Sequence, residues 1–357
     1  VSIINTANNS CSVYDQTNSA LQLSLAGNGW ALASDVCYDT KGNLWVLNGW
    51  SDRPLVVKRS DNTWSAFDCG VEARNKYTTR MVIDKDQNLW FATETNGLFG
   101  YTYSETIDNI GDDFHINLTS GEYSGALPSD NVTALAVDLD GELWIGTDAG
   151  FAVLYNTTGS FTANPGDYNA QRIKVRFEGN VEYVLGSTHI TDIEVDGGNR
   201  KWMATAGAGL VLLSSDGSEI IKQFTKENSA LISNNIYDIK LNQETGELFI
   251  ITDLGLVSYR SDASQDDADY SSTKVFPNPV RPGYEGLITI QGIRYDSDVK
   301  VTDIAGNLIF KTTSNGGTAT WDGKRVDGSR VESGVYLIWT ATNEGTSRKV
   351  GKVVVVN

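Results

Sequence analysis

The chain has 357 residues, with 28 basic and 45 acidic side chains, a net charge of −17 and 35 glycines. That balance disfavours nucleic-acid binding, which needs a basic patch against phosphate, and no apolar run approaches the roughly 20 residues of a membrane-spanning helix. Three cysteines, Cys11, Cys37 and Cys69, fit no metal spacing and identify no redox compartment.

The opening VSIINTANNSCSVYDQ reads as the third and fourth strands of a β-propeller blade whose first half is absent, in the register of GLVSYRSD at Gly255. Residue 1 is therefore expected to be a cut or processed point inside a longer protein. Five copies of one phrase follow: YDTKGNLWVLNGW from Tyr38, IDKDQNLWFATETNGLFGY from Ile83, VDLDGELWIGTDAGFAVLY from Val137, VDGGNRKWMATAGAGLVLL from Val195 and NQETGELFIITDLGLVSY from Asn242. Their aligned aromatics, Trp45, Trp90, Trp144, Trp202 and Phe249, are 45, 54, 58 and 47 residues apart. That spacing suits one four-stranded blade plus variable loops.

Within each copy, period-two alternation cut by Gly, Asn and Asp predicts short antiparallel strands. Val132 to Asp138, Glu142 to Thr147 and Gly150 to Tyr155 are the clearest set. The Asp-x-x-Gly or Asp-x-x-Asn segment between the first two strands supplies the bonds and positive φ of a hairpin turn. Asp84, Asp138 and their equivalents are expected to cap these turns. As calcium loops they lack the distal glutamate and the further oxygen ligands, so no metal ligands are assigned. The tryptophan that follows is expected to pack between blades. Cys37 falls on an inner strand and reads as a buried thiol; Cys11 and Cys69 fall on outer strands of adjacent blades, too far apart to bridge.

After Tyr259 the composition turns acidic and polar, and residues 260–272 read as a linker. Residues 273–357 alternate over about seven short strands, with Trp321 and Tyr336 as core residues, which suits an immunoglobulin-like sandwich. The predicted fold is all-β: a β-propeller over residues 1–259, partial or from a longer chain, with about five to six blades present, followed by an immunoglobulin-like β-sandwich.

Loops between second and third strands, and between blades, share one face of a propeller, where ligands usually sit. The candidates there are Trp50 and Arg53 in NGWSDRPL, Arg74, Tyr77 and Arg80 in EARNKYTTR, and Asn96 and Asp148. Aromatic faces pack on sugar rings, and arginine forks onto phosphate or carboxylate. An enzyme is disfavoured: most carboxylates sit in the repeated turns, the only histidines are His115 and His189, and neither HExxH nor G-x-S-x-G occurs. No catalytic residue and no cofactor is assigned.

Two family resemblances extend this reading. The five phrases resemble the two-component-regulator propeller repeat, seen in sensor ectodomains and secreted proteins of Bacteroidota. The C-terminal segment is similar to the sorting domain of type IX secretion, through FPNP at Phe276, VTDIAGN at Val301, WDG at Trp321, SGVY at Ser333 and the closing GKVVVVN. The sorting resemblance implies export through the periplasm and across the outer membrane to the cell surface, and argues against a sensor ectodomain, which needs a membrane helix and kinase downstream. Together the two parts resemble the propeller-plus-sorting-domain components of the type IX attachment complex. Membership implies a noncatalytic protein that binds anionic lipopolysaccharide and presents it to the PorU-type sortase among the other attachment-complex proteins. The alternative is a secreted or surface propeller acting on or sensing polysaccharide.

Overall fold

The computed structural model describes every residue except 28, 104–105, 108, 163, 165–167, 178–179, 267–269, 271–272 and 342–346. Its regular structure is β, as expected, with two 3₁₀ turns at Ile110–Asp112 and Thr158–Phe161 among the described residues. The chain divides into two compact units, Val1–Ile193 with Met203–Gly209 and Glu194–Trp202 with Leu210–Asn357.

The first unit contains the first three repeats. Leu32–Tyr38, Leu44–Gly49, Leu55–Lys58 and Trp64–Phe67 form one antiparallel sheet in chain order; Thr78–Ile83, Leu89–Thr93, Gly97–Thr102 and Phe114–Leu118 form the second. The third consists of Val132–Val137, Leu143–Thr147 and Gly150–Leu154, extended by a bridge between Val153 and Gln171. The N-terminal segment forms a hairpin of Ser2–Asn5 and Ser10–Val13. Val1 and Ile3 pack on Leu44, Val46 and Val56 of the first sheet.

The repeated turn has one geometry. Asp39 Oδ1 accepts from the backbone N–H of Lys41 and Asn43, at 2.9 and 2.8 Å, and its Oδ2 accepts from Trp45 Nε1 at 3.1 Å. Asp84 holds Asp86 N, Asn88 N and Trp90 Nε1 at 3.0, 2.9 and 3.0 Å. Asp138 holds Asp140 N, Glu142 N and Trp144 Nε1 at 2.9, 2.9 and 3.0 Å. All three carboxylates are buried, and the three indoles are fully buried. A buried charge persists only where hydrogen bonds replace its lost hydration, and this turn provides them from its own backbone. The indole is thereby pinned for ring packing: Trp45 stacks on Tyr103 at 5.6 Å and Trp144 on Phe151 at 5.5 Å.

A second repeated device joins adjacent sheets. Each inner strand carries a register shift near its start, between Ala33 and Asp35, Thr78 and Met81, and Val132 and Ala134. A hydroxyl sits within each shift. Ser34 Oγ meets Thr78 Oγ1, Thr79 Oγ1 donates to Val132 O at 3.3 Å, and Thr133 Oγ1 donates to Ile190 O. Each bulge thus re-aims a small polar side chain onto the next inner strand.

The fourth sheet runs Ile190–Val195, Lys201–Thr205, Leu210–Leu213, Ile220–Phe224, and the boundary between the units passes through it. In the second unit the fifth repeat makes a three-stranded sheet of Ile236–Asn242, Glu247–Thr252 and Gly255–Arg260. Trp202 is fully buried like its counterparts, beside Tyr259 at 5.7 Å. Phe249 differs: it is 38 % exposed on a face shared with Ile251. The turn before it has Asn242 in place of Asp, whose Oδ1 accepts from Glu244 N and Thr245 N. Phenylalanine offers no N–H, so no carboxylate is needed.

The sandwich packs a sheet of Lys274–Phe276, Ile288–Gln291 and Thr318–Trp321 against one ordered Leu308–Thr313, Asp298–Thr302, Gly334–Ala341, Ser347–Val355. Trp321 and Tyr336 lie in its core with Ile290, Val299, Val301, Ile338 and Val353. Of the stretch read as a linker, residues 267–269 and 271–272 lie outside the described residues. Its first part is held on both sides. Ser261, Ala263 and Ser264 are buried. Gln265 N donates to Gln243 O at 2.6 Å, Gly317 N donates to Ser264 O at 2.7 Å, and Ser264 Oγ meets Thr318 Oγ1 at 2.7 Å.

Arg200 anchors the same stretch. Its Nε reaches Asp196 Oδ2 at 2.9 Å and its Nη2 reaches Asp262 Oδ1 at 2.8 Å. Burial pushes the Asp262 carboxyl up, but hydrogen bonds and charge from Arg200 outweigh it and hold the group below its ordinary value. A depressed carboxylate stabilises the fold above its unfolded pKa of about 4 and loses that contribution as pH falls through its folded value.

Asp138→Ala strips the indole and two backbone donors of their acceptor and should cost roughly 2–4 kcal/mol in denaturant unfolding. Asp303→Ala, in a solvent-exposed copy of the turn where Asp303 bonds Ala305 N and Asn307 N, should cost far less. Arg200→Ala removes the cation that Asp196 and Asp262 share and should destabilise the protein by about 3 kcal/mol. Asp262→Asn should flatten part of the acid limb of the stability–pH curve.

Candidate functional site

Main-chain hydrogen bonds bring two of the predicted loops together. Trp50 follows the second strand of the first sheet, at φ +55°. Its N donates to Lys76 O at 2.7 Å, and Asn75 N donates to Ser51 O at 2.9 Å. Residues 50–53 and 74–77 therefore form one surface. The next loop joins it through Glu94 N, which donates to Tyr77 O at 3.1 Å. Trp50 is half-buried, and Arg53, Arg74 and Tyr77 are exposed or nearly so.

The arginines have different surroundings. Arg74 is forked onto Asp68, with its Nε 3.1 Å from Oδ1 and its Nη2 on Oδ2. This contact lowers the Asp68 carboxyl and raises the guanidinium. Arg80 lies within the inner strand Thr78–Ile83, with Nη2 3.9 Å from Asp192 Oδ1. Arg53 lines two neighbouring cavities of about 500 and 320 Å³, which share Ala66, Phe67 and Ile110. Asn96 sits in the turn before Gly97, and Thr95 Oγ1 donates to it at 3.5 Å.

Asp148 has a repeated structural task. Asn131 Nδ2 donates to its Oδ2 at 3.1 Å, and Asp148 N donates to Asn131 O at 3.3 Å. Asn235 and Asp253 make the same pair, at 3.2 and 3.3 Å. In both copies a serine hydroxyl two residues earlier accepts from the asparagine N–H.

The smaller cavity adds Asp68, Tyr101, Asp113 and His115 to Arg53 and Phe67. Tyr101 OH donates to Asp113 Oδ2. Burial raises the Asp113 carboxyl, the bond from Tyr101 opposing it; burial and then that bond push the Tyr101 hydroxyl up. Gly70 closes the wall at φ +93°, where a Cβ would stand 2.9 Å from His115 Nε2. Sequence reasoning named Arg53 but missed the rest of this constellation, because its members come from two sheets, Phe67 from the outer strand of the first and Tyr101 and His115 from the third and fourth strands of the second, and a repeat pattern does not report contacts between sheets. The cavity joins apolar rings to groups of both signs and can hold a small polar ligand with an apolar face.

The cysteines depart from expectation in one respect. All three are free, Cys11 being exposed and Cys37 partly buried; Cys69 is the fully buried thiol. Cys69 follows the strand Trp64–Phe67 and packs in the core with Trp45 and Phe67. Burial pushes Cys37 up to about 12 and Cys69 higher still. Alkylation of the native protein at about pH 8 should therefore modify Cys11 quickly and Cys69 only after unfolding. Mass spectrometry of the peptides checks this.

Residues 274–356 match the secretion system C-terminal sorting domain family, and residues 126–149 match the two component regulator propeller family. The chain is similar to PorZ of Porphyromonas gingivalis, an essential bacterial surface component of the type-IX secretion system. The identity is 31 % and the TM-score 0.67, over 98 % of this chain and 48 % of that one. It also resembles the extracellular domain of a hybrid two component system from B. thetaiotaomicron, at 16 % identity and TM-score 0.50, over 98 % of this chain and 42 % of that one. That likeness speaks to the fold alone. The chain thus spans about half the length of these solved structures. No curated protein sequence matches it.

Proposed function

We propose that this chain, PorZ-like over 98 % of its length and ending in a sorting domain, is a noncatalytic surface component of the type IX secretion attachment complex. In this reading it binds anionic lipopolysaccharide and presents it to the PorU-type sortase. The observation that carries the binding role is the union of the loops at 50–53 and 74–77 by Trp50 N to Lys76 O and Asn75 N to Ser51 O. It sets Trp50, Arg53, Arg74 and Tyr77 on one surface, with aromatic faces for sugar rings and guanidinium groups for phosphate or carboxylate.

What supports a noncatalytic role is the employment of the repeat carboxylates. Asp39, Asp84 and Asp138 are buried and take up backbone and indole N–H groups. A glycosidase needs two carboxyl groups facing a sugar, and these face their own turns. Cleavage of a glycan panel by the purified protein would overturn the noncatalytic reading and favour a propeller that acts on polysaccharide.

The binding test pairs Arg53→Ala with Arg74→Ala and measures affinity for purified anionic lipopolysaccharide, with thermal stability as control. One charged hydrogen bond contributes about 1.5–3 kcal/mol, so the double variant should bind well over tenfold more weakly. Unchanged affinity in a folded variant would place the site elsewhere. Deleting residues 273–357 from the full-length protein should abolish surface display, and normal exposure of the truncated protein would end the sorting role.

A further inference from the structure

Charge is distributed unevenly along the chain. Residues 273–357 carry 11 lysines and arginines against 8 aspartates and glutamates, a net +3, whereas the whole chain is at −17 and residues 1–272 at −20. Three of those cations lie together on one sheet face. On the four-stranded sheet, Lys311 pairs with Lys300, and Lys300 pairs in turn with Trp339. The next rung pairs Leu337 with Lys352, and the one after it pairs Val335 with Val354.

Alternation fixes which way these residues face. Val299, Val301, Ile338 and Val353, their chain neighbours, are buried in the core between the sheets. Lys300, Lys311, Trp339, Lys352 and Val335 are exposed, and Leu337 is half-buried among them. Trp339 Nε1 donates to Thr302 Oγ1 at 3.1 Å, which ties the ring to the sheet while 37 % of the residue stays open to solvent. Lys311 pairs with Asp298 at 3.1 Å, and both remain about half exposed. The result is a basic, aromatic and aliphatic face about 15 Å across its four strands.

We propose that this outer sheet face docks the protein on an anionic lipid surface. Charge complementarity selects a negative partner, since the face is the basic exception in an acidic chain. Lysines act as compact, mobile charges that meet phosphates without fixed geometry. A tryptophan flanked by Leu337 and Val335 is the side-chain set that settles at the junction of headgroups and acyl chains. The exposed side chains are spread over four strands, whereas a small free ligand needs an enclosed site to bury its surface, so an extended lipid surface is the occupant. Residues 1–272, at −20, offer no net positive charge to such a surface, whereas the sandwich does. This docking is independent of the loops proposed above for lipopolysaccharide.

The test is co-sedimentation of the whole chain with vesicles of phosphatidylcholine alone, or with about one part in three phosphatidylglycerol. Binding should require the anionic lipid and weaken with salt. Lys300→Gln and Lys352→Gln should each reduce the partition coefficient about fivefold, and the pair well over tenfold. Lys324→Gln, in a turn off this sheet, should leave binding unchanged. Trp339→Ala should reduce binding at high salt as well, because its contribution is not screened; thermal melts confirm that every variant is folded. Absence of binding to anionic vesicles overturns the proposal, as does binding that the double variant leaves intact. Retention on an acidic protein surface without retention on vesicles also overturns it.

Discussion

Asp39, Asp84 and Asp138 each sit buried at the turn between the first two strands of a sheet, and each accepts from two backbone N–H groups and one indole. This one bonding pattern does two jobs. It closes the hairpin, and it fixes the tryptophan that fills the space beside the sheet. The carboxylate tolerates burial because the turn presents donors to it, and the indole tolerates burial because the carboxylate accepts the hydrogen bond from its N–H. The last repeat shows the dependence from the other side: Phe249 has no N–H, and Asn242 stands where the carboxylate would be.

The fourth repeat turns the same motif to another use. Arg200 occupies the position of Asn43 and Asn88 and takes Asp196 Oδ2 for itself. Trp202 Nε1 is then buried without an acceptor. In exchange Arg200 reaches Asp262, and the strand exit after the fifth sheet is held. That segment continues into Ser264 and its contacts with Gly317 and Thr318 of the sandwich. A substitution at one turn position thus shifts the motif from packing a single sheet to fastening the chain that leads into the next domain.

The opposite ends of these strands carry the loops of the proposed site. With hairpins closed at Asp39 and Asp84, the loops at 50–53 and 74–77 emerge at set positions and pair through their backbones. The proposed affinity for an anionic glycan would rest on such local groups rather than on the field of the whole, acidic molecule. The sandwich shows the same principle at larger scale, since its charge is of opposite sign to the rest of the chain.

The repeat period, the strands, the hairpin turns and the buried tryptophans were legible in the sequence, because each depends on a local pattern: alternation, a glycine turn, an aspartate six residues before an indole. The sandwich and its core residues Trp321 and Tyr336 were legible for the same reason. Residues 50–53 and 74–77 do lie between strands, as the repeat pattern implied, but the fates of the candidate side chains were not legible. Arg74 meets Asp68, Arg80 lies in a strand near Asp192, and Asp148 belongs to a repeated pair with Asn131. The cavity of Arg53, Phe67, Tyr101 and Asp113 needed the tertiary structure, as did the burial of Cys69 and the fastening of Ser261 to Gln265. A polar stretch such as RSDASQ looks like a linker until its partners at Gln243, Gly317 and Thr318 are known. Periodicity reports which face of a strand is covered; only the folded chain decides which distant group covers it.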